Sequence, residues 1–191
     1  IRVASHVITI SEAAKRDIEA RLHVPANKIT VTHLAPAPVI RGRVSSPVKK
    51  VAASKYFLFV GGTEKRKNLR TVLEAYAQLN LSERVIVVGP TDPSPVHDDK
   101  KELLSIVRPE QRRQIRFVGR ISGADLTYLY RHATALLFPS RYEGFGLPPL
   151  EAMRQEIPVI TSNASSLPEV VGSAARMVDP TDGEALAEAM Q

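Results

Sequence analysis

The feature that most restricts the fold is a repeat that sets in at Tyr56, in which a short apolar run ends in glycine and a stretch with helical spacing follows. Tyr56–Val60 ends in Gly61-Gly62, and from Asn68 onward Leu69, Val72, Leu73, Tyr76 and Leu79 recur one turn apart. Arg84–Val88 is closed by Gly89-Pro90 and leads through a proline-rich loop, Thr91–Asp98, into a helix over Asp99–Val107. Ile115–Val118, closed by Gly119, precedes a helix over Ser122–His132, and Thr134–Phe138 precedes a Gly-Phe-Gly loop and a helix over Pro148–Gln155. Ile157–Thr161, the polar loop Ser162–Ser166, the helical turn Leu167–Val171, a strand over Ala174–Val178 and a helix over Asp182–Gln191 complete the series. Short, continuously apolar strands alternating with helices belong to a parallel sheet covered on both faces. The predicted class is therefore α/β, a doubly wound, Rossmann-like parallel sheet whose βα loops emerge along one edge, where such sheets bind ligands.

Ahead of the repeat, Arg2–Ile10 reads as a strand, and Ser11 stands where an N-cap oxygen belongs before a helix over Glu12–Leu22. Val24-Pro25 ends that helix, and Lys28–His33 reads as a second strand. Leu34–Ser54 is rich in Pro, Ser and basic residues without sustained periodicity, as a linker would be.

Composition excludes more than it selects. The 191 residues contain no cysteine, which rules out disulfides and cysteine-ligated metals and fits a reducing, cytoplasmic compartment. No apolar run approaches the ~18 residues that span a bilayer, and Ile1–Ile10 lacks the pattern of a signal peptide. The net charge of +6 is spread over small basic groups with few aromatics, which argues against nucleic acid and leaves ordinary solvated faces, phosphorylated ligands or an anionic membrane surface.

The chemistry gathers in four loops on the predicted edge. In Gly61–Lys67, Arg66 and Lys67 precede a helix N-terminus, the wrong end for cations unless an anion offsets them, so the loop reads as a phosphate clamp. In Arg141–Met153, Pro148 and Pro149 suit the first helical positions but have no N–H to give. An anion there must be held by the N–H groups of Gly144, Phe145, Gly146 and Leu147. Glu151, expected in the first helical turn, offers acceptor oxygens suited to ribose hydroxyls or simply to the helix dipole, and Glu143 is either placed for a second hydroxylated group or a solvated loop carboxylate. Ser162–Ser166 adds hydroxyls, Ser165 among them, and Gly119–Ser122 carries the aliphatic Ile121, a candidate for lying against a nucleobase.

GGTEKRKNL, the E-x7-E pattern from Glu143 to Glu151 inside EGFGLPPLEAM, and VITSNASSLPEVVG, in this order and spacing, resemble the donor-binding domain of family 4 glycosyltransferases of the GT-B fold. VITISEAAKRDI followed by KITVTHLAPAP resembles the segment in which the acceptor domain of that family ends and crosses to the donor domain. The resemblance thus divides the chain into a tail of an N-terminal acceptor domain at 1–34, an interdomain linker at 35–54 and a nucleotide-sugar-binding domain at 55–191, truncated at its C-terminal end. It implies a fragment whose acceptor domain is missing and which is inactive alone.

The same resemblance implies retaining, metal-independent transfer of a hexose from a nucleotide diphosphate sugar to a glycan or lipid-linked acceptor, with no cofactor. Arg66 and Lys67 would neutralise the departing diphosphate, Glu143 would touch the donor sugar and Glu151 would bind ribose. Gly144 to Leu147 would cradle the distal phosphate, with Gly61, Gly62, Ile121 and Ser165 completing the donor site. Many relatives carry Gly-Arg directly after the first strand of this domain, whereas this chain has Gly61-Gly62-Thr63 and sets its arginine beside the lysine. The absence of an Asp-x-Asp pair agrees with metal independence. The wording around Arg66-Lys67-Asn68 and Ser162–Val170 resembles mannosyltransferases of bacterial surface polysaccharide synthesis, which makes GDP-mannose the expected donor and the inner face of the cell membrane a place of peripheral contact. A nucleotide- or phosphate-binding module without transferase chemistry is the alternative. A dehydrogenase is a weaker reading, because no G-x-G-x-x-G follows a strand.

Overall fold

The computed structural model describes residues 4–91 and 94–191. Its first part is a small βαβ unit. Strand β1 (Val7–Thr9) runs into helix α1 (Glu12–Leu22), and β2 (Ile29–Val31) returns parallel to β1. Ser11 caps α1 as expected, accepting a hydrogen bond from the Ala14 N–H at 2.9 Å. The predicted strand over Arg2–Ile10 is shorter than its apolar pattern, and Arg2 and Val3 lie outside the described residues.

The segment read as an aperiodic linker contains helix α2 (Ser46–Val51), whose Val48 is buried in the core of the following sheet. Six residues are too few to display a 3.6-residue period, which is why the pattern is invisible in the sequence. Downstream, the chain runs β3 (Tyr56–Val60), α3 (Leu69–Gln78), β4 (Arg84–Val88), α4 (Lys100–Ile106), β5 (Ile115–Gly119), α5 (Gly123–His132), β6 (Ala135–Phe138), α6 (Leu147–Arg154), β7 (Val159–Ser162), α7 (Leu167–Val171), β8 (Arg176–Val178) and α8 (Gly183–Ala189). Ser122 and Asp182 cap α5 and α8 with their side chains.

These six strands form one sheet in the order β5-β4-β3-β6-β7-β8, and each adjacent pair is parallel. Alternate residues of a strand face opposite sides, so the continuous apolar runs feed two cores. Phe57, Phe59, Val85, Val87 and Leu137 pack with α3, α4 and α8 on one side. Tyr56, Leu58, Ile86, Leu136 and Phe138 pack with α2, α5, α6 and α7 on the other. Tyr56 can lie inside because its hydroxyl donates to the Leu129 carbonyl at 2.7 Å.

The strand order places the site. From β3 the chain moves outward through β4 and β5, then returns to the other side of β3 with β6. The connections after β3 and β6 therefore diverge, and a crevice opens between them at the carboxyl ends of the strands. Its walls are Gly61–Lys67 and Pro139–Gly146.

Candidate functional site

Lys65–Lys67 form a 3-10 turn ahead of α3, and this turn aims two cations across the crevice. Lys67 Nζ lies 2.7 Å from Glu143 Oε1, and Arg66 Nη1 lies 2.9 Å from Glu143 Oε2. The Glu143 side chain is 8% exposed and that of Lys67 11%, whereas Arg66 is 43% exposed, so Lys67–Glu143 is the sheltered half of the cluster. The Lys67 ammonium also sits 4.8 Å from the centroid of the Phe138 ring, a cation–π contact. Arg66 Nε bonds Glu64 at 2.5 Å, and its Nη1 reaches the Tyr142 carbonyl at 3.3 Å. Burial works against the charge on Arg66, but the fields and hydrogen bonds of Glu143 and Glu64 outweigh it and raise its pKa. Cations before a helix N-terminus require an anion, and here Glu143 is that anion.

Beside this cluster the polypeptide presents unused donors. Among the described residues the backbone N–H groups of Gly144, Phe145, Gly146 and Leu147 donate no hydrogen bond. Pro148 and Pro149 follow within the first turn of α6, so the donors of that helix end are concentrated in the loop. Gly144 is not demanded by the fold, since a Cβ there would meet only Ile10 Cδ1 at an ordinary 3.5 Å. Gly62 is the opposite case. Its φ is +63°, and a Cβ would lie 1.9 Å from the Pro90 carbonyl oxygen. Gly61 lets the Lys67 side chain lie across it, a Cβ there coming 2.6 Å from Lys67 Cγ. Phe145 is buried and stacks towards His33, with ring centroids 5.8 Å apart.

Three supports hold these loops, and none was recognisable as a support from the sequence. Asn68, with φ +66°, does not cap α3 with its side chain. Its Nδ2 donates to the carbonyls of Pro139 at 3.0 Å and Pro180 at 2.7 Å, and its Oδ1 accepts from Thr71 and Arg141. One buried amide thus ties the loops after β3, β6 and β8 together. The proline-rich loop is a second support: Lys65 N–H donates to the Val96 carbonyl at 2.9 Å and Asp98 N–H to Thr63 at 2.7 Å. The third is the loop after β7, where Ser165 Oγ donates to the Glu143 carbonyl at 2.6 Å and Ser166 Oγ to that of Phe145 at 2.5 Å. Ser165, a candidate donor contact in the sequence, spends its hydroxyl here on the backbone of Glu143. An Asn beside two cations and before a helical pattern is the only sequence signal for this framework.

The structure brings Arg66, Lys67 and Glu143 together and sets Ser165 and the Gly144–Leu147 backbone beside them. Glu151 and Ile121 each line a further cavity beside α5. Helix α6 begins at Leu147, so Glu151 is in its second turn and not the first, as the sequence suggested. Its Oε2 accepts a 2.9 Å hydrogen bond from the Tyr130 hydroxyl, and it lines a cavity of about 70 Å3 with Tyr130, Ala37, Pro38, Ile40 and Arg154. Ile121 lines a separate groove with Pro47, Val48 and Val51 of α2. The first βαβ unit reaches the same edge: Tyr142 Oη donates to Asp17 at 2.6 Å, and the Glu12 N–H at the start of α1 donates to both carboxylate oxygens of Glu169 at 3.0 and 3.1 Å. Among the described residues no group of three or more His, Asp or Glu is placed to hold a metal ion, and no helix is long and apolar enough to cross a membrane.

Residues 44–191 match the family model described as Glycosyl transferases group 1. Over 191 aligned residues the chain is 36% identical to O-antigen chain mannosyltransferase B of Escherichia coli, an alignment covering 96% of this chain and 50% of that protein. The chain spans about half the length of this relative and of O-antigen chain mannosyltransferase RfbU of Salmonella typhimurium, to which it is 31% identical over 183 residues. Among solved structures, sucrose-phosphate synthase from Thermosynechococcus elongatus superposes with a TM-score of 0.81 at 25% identity, over 98% of this chain and 48% of that one. Anabaena Alr3699/HepE, solved in complex with UDP and glucose, superposes with a TM-score of 0.80 at 21% identity, over 99% of this chain and 53% of that one, and supports the fold.

Proposed function

Since this chain belongs to the group 1 glycosyl transferases, we propose that it is the donor-binding half of a retaining, metal-independent hexosyltransferase. The single observation that carries the reading is the convergence of Lys67 and Arg66 on one sheltered carboxylate, next to four undonated N–H groups, at the switch point of the sheet. That edge offers two cations and a row of backbone dipoles to a diphosphate, and a carboxylate to the hydroxyls of the attached sugar.

In this reading the bond between sugar C1 and the distal phosphate oxygen breaks and its electron pair leaves with the diphosphate, while a hydroxyl oxygen of the acceptor bonds C1 on the same face and gives its proton to the departing phosphate oxygen. Lys67 and Arg66, taken from Glu143 when the donor binds, are in place before that charge develops, so little reorganisation is needed in the transfer step itself. The Gly144–Leu147 N–H groups hold the same phosphate, Glu143 orients the sugar, and Glu151 takes the ribose. Gly61 and Gly62 shape the loop that carries Lys67, and Ile121 lies on the base side. Ser165 acts by holding Glu143. Residues 1–34, as part of the acceptor domain, form the far wall with Ile10 near Gly144, and a glycan or lipid-linked acceptor approaches from that side. A cytoplasmic position at the inner face of the membrane suits such an acceptor.

The name of the E. coli relative supports mannose, and GDP-mannose is the first donor to test. UDP-glucose is the comparison, because the Anabaena neighbour holds UDP and glucose. Titration calorimetry of this chain with GDP-mannose, GDP and UDP-glucose in EDTA is expected to give binding that Lys67→Ala weakens at least tenfold, the loss of about 1.4 kcal/mol of charge-assisted contact. No binding, or binding indifferent to Lys67→Ala, overturns the site. Donor binding without sugar transfer by the whole protein would favour the binding-module alternative.

A further inference from the structure

Tyr130 is the residue whose chemistry the reading above leaves unused. It lies on α5, is 2% exposed and sits in the second core, yet it carries its hydroxyl to the edge of that core. The hydroxyl has one partner among the described residues, Glu151 Oε2 at 2.9 Å. Burial, and then the charge of Glu151, push the phenol pKa well upward, so it stays a donor over the whole working range of pH.

A glutamate on a helix surface ordinarily samples many rotamers, and holding it in one costs side-chain entropy that a ligand must otherwise supply. Here the cost is met within the fold. Tyr130 fixes one carboxylate oxygen, and residues 37–40 line the same small cavity as Glu151. That segment is itself fastened, because Arg154 Nη1 donates to the carbonyls of Ala37 at 3.1 Å and Pro36 at 3.4 Å. A Cβ on Gly123, the first residue of α5, would lie 2.3 Å from Ile40 Cδ1, so Ile40 sits directly against the helix. Glu151 therefore has one oxygen committed and the other left to accept.

We propose that Tyr130 is a positioning residue for Glu151, presenting its free carboxylate oxygen to the ribose hydroxyls of the donor nucleotide. The proposal rests on the reading of Glu151 as the ribose contact. Tyr130 touches no reacting atom and works through geometry alone, so removing its hydroxyl should affect only ligands that carry the ribose diol.

The test is calorimetry of this chain with GDP and with 2′,3′-dideoxy-GDP. The wild type should prefer the ribonucleotide, and Tyr130→Phe should reduce that preference roughly three- to tenfold, the effect of freeing one or two side-chain torsions. Affinity for the dideoxy nucleotide should stay the same. In a Glu151→Ala background Tyr130→Phe should change nothing further, which separates positioning from a general loss of packing. If both nucleotides weaken equally, or the preference survives in Tyr130→Phe, positioning is refuted while the Glu151 contact stands. A wild type that binds both nucleotides alike refutes the ribose reading of Glu151 and this proposal with it. Thermal melting checks that Tyr130→Phe is folded. Should it not be, Glu151→Asp, whose shortened arm leaves the phenol, must lose the same preference or the proposal fails.

Discussion

Replacing Glu143 by Gln should make this chain bind a nucleoside diphosphate more tightly, although the residue is placed in the site. Both oxygens of Glu143 are occupied by the cations that a diphosphate would use. At the 2.7 Å separation from Lys67, and with an effective dielectric of about 20, two unit charges attract by roughly 6 kcal/mol. The desolvation of two nearly buried groups cancels much of this, leaving a net value on the order of 1–3 kcal/mol. The Arg66 contact, at 43% exposure, is screened and adds under ~1 kcal/mol. An entering diphosphate must take Lys67 from Glu143, so Glu143→Gln should raise affinity for GDP by about tenfold, and by up to ~100-fold at the upper end. The same substitution should lower the melting temperature by about 2–4 °C for each kcal/mol lost. Calorimetry with GDP, which carries no sugar, isolates this effect from any role of Glu143 towards the hexose. Unchanged or weaker GDP binding would refute the idea that Glu143 and the diphosphate compete for one pair of cations.

Two glycines of the crevice should respond in opposite ways. Gly62→Ala collides with the Pro90 backbone at positive φ and should cost at least ~3 kcal/mol in urea unfolding, whereas Gly144→Ala should melt within a few degrees of wild type yet lose diphosphate affinity. Stability should also fall in alkali. Burial pushes the Tyr76 phenol up to about 12 and raises those of Tyr56 and Tyr130 as well. Unfolded tyrosines ionise near pH ~10, so this stabilisation is complete below that value and is lost as pH rises through the folded pKa. The unfolding free energy should drop by up to about 1.4 kcal/mol per pH unit per phenol above pH ~10, and Tyr76→Phe should flatten that slope.

What could be read from the sequence follows from the range of the interactions involved. Strands β3, β4 and β5 were legible because each is a largely apolar run closed by a glycine, β6 and β7 because they are apolar runs between helical patterns, and Ser11 was legible as a cap because a cap is satisfied within three residues. Arg66, Lys67 and Glu143 could be named because parallel topology alone carries both loops to one edge. That Glu143 would be the anion paired with the two cations could not, since the pairing joins positions 76 and 77 residues apart. Helix α2 escaped notice because it is shorter than two helical periods, and Val48 shows its burial only in three dimensions. Asn68 and Tyr130 were hidden for the same reason as the Glu143 pairing: each reads locally as an ordinary helix residue and acts through partners distant in the chain.

The Asn68 amide joins carbonyls 71 and 112 residues further along, at Pro139 and Pro180. During synthesis the two cations and Glu143 are all made well before Pro180 exists, and domains assemble as the chain emerges from its N-terminal end. The crevice therefore acquires its final shape only after β6 and β8 have joined the sheet. A nucleotide bound at the proposed site would not template the early steps of folding, because that site is complete only on a finished sheet. It would stabilise the product by mass action, which would make ligand binding a late and stringent mark of a correctly assembled chain.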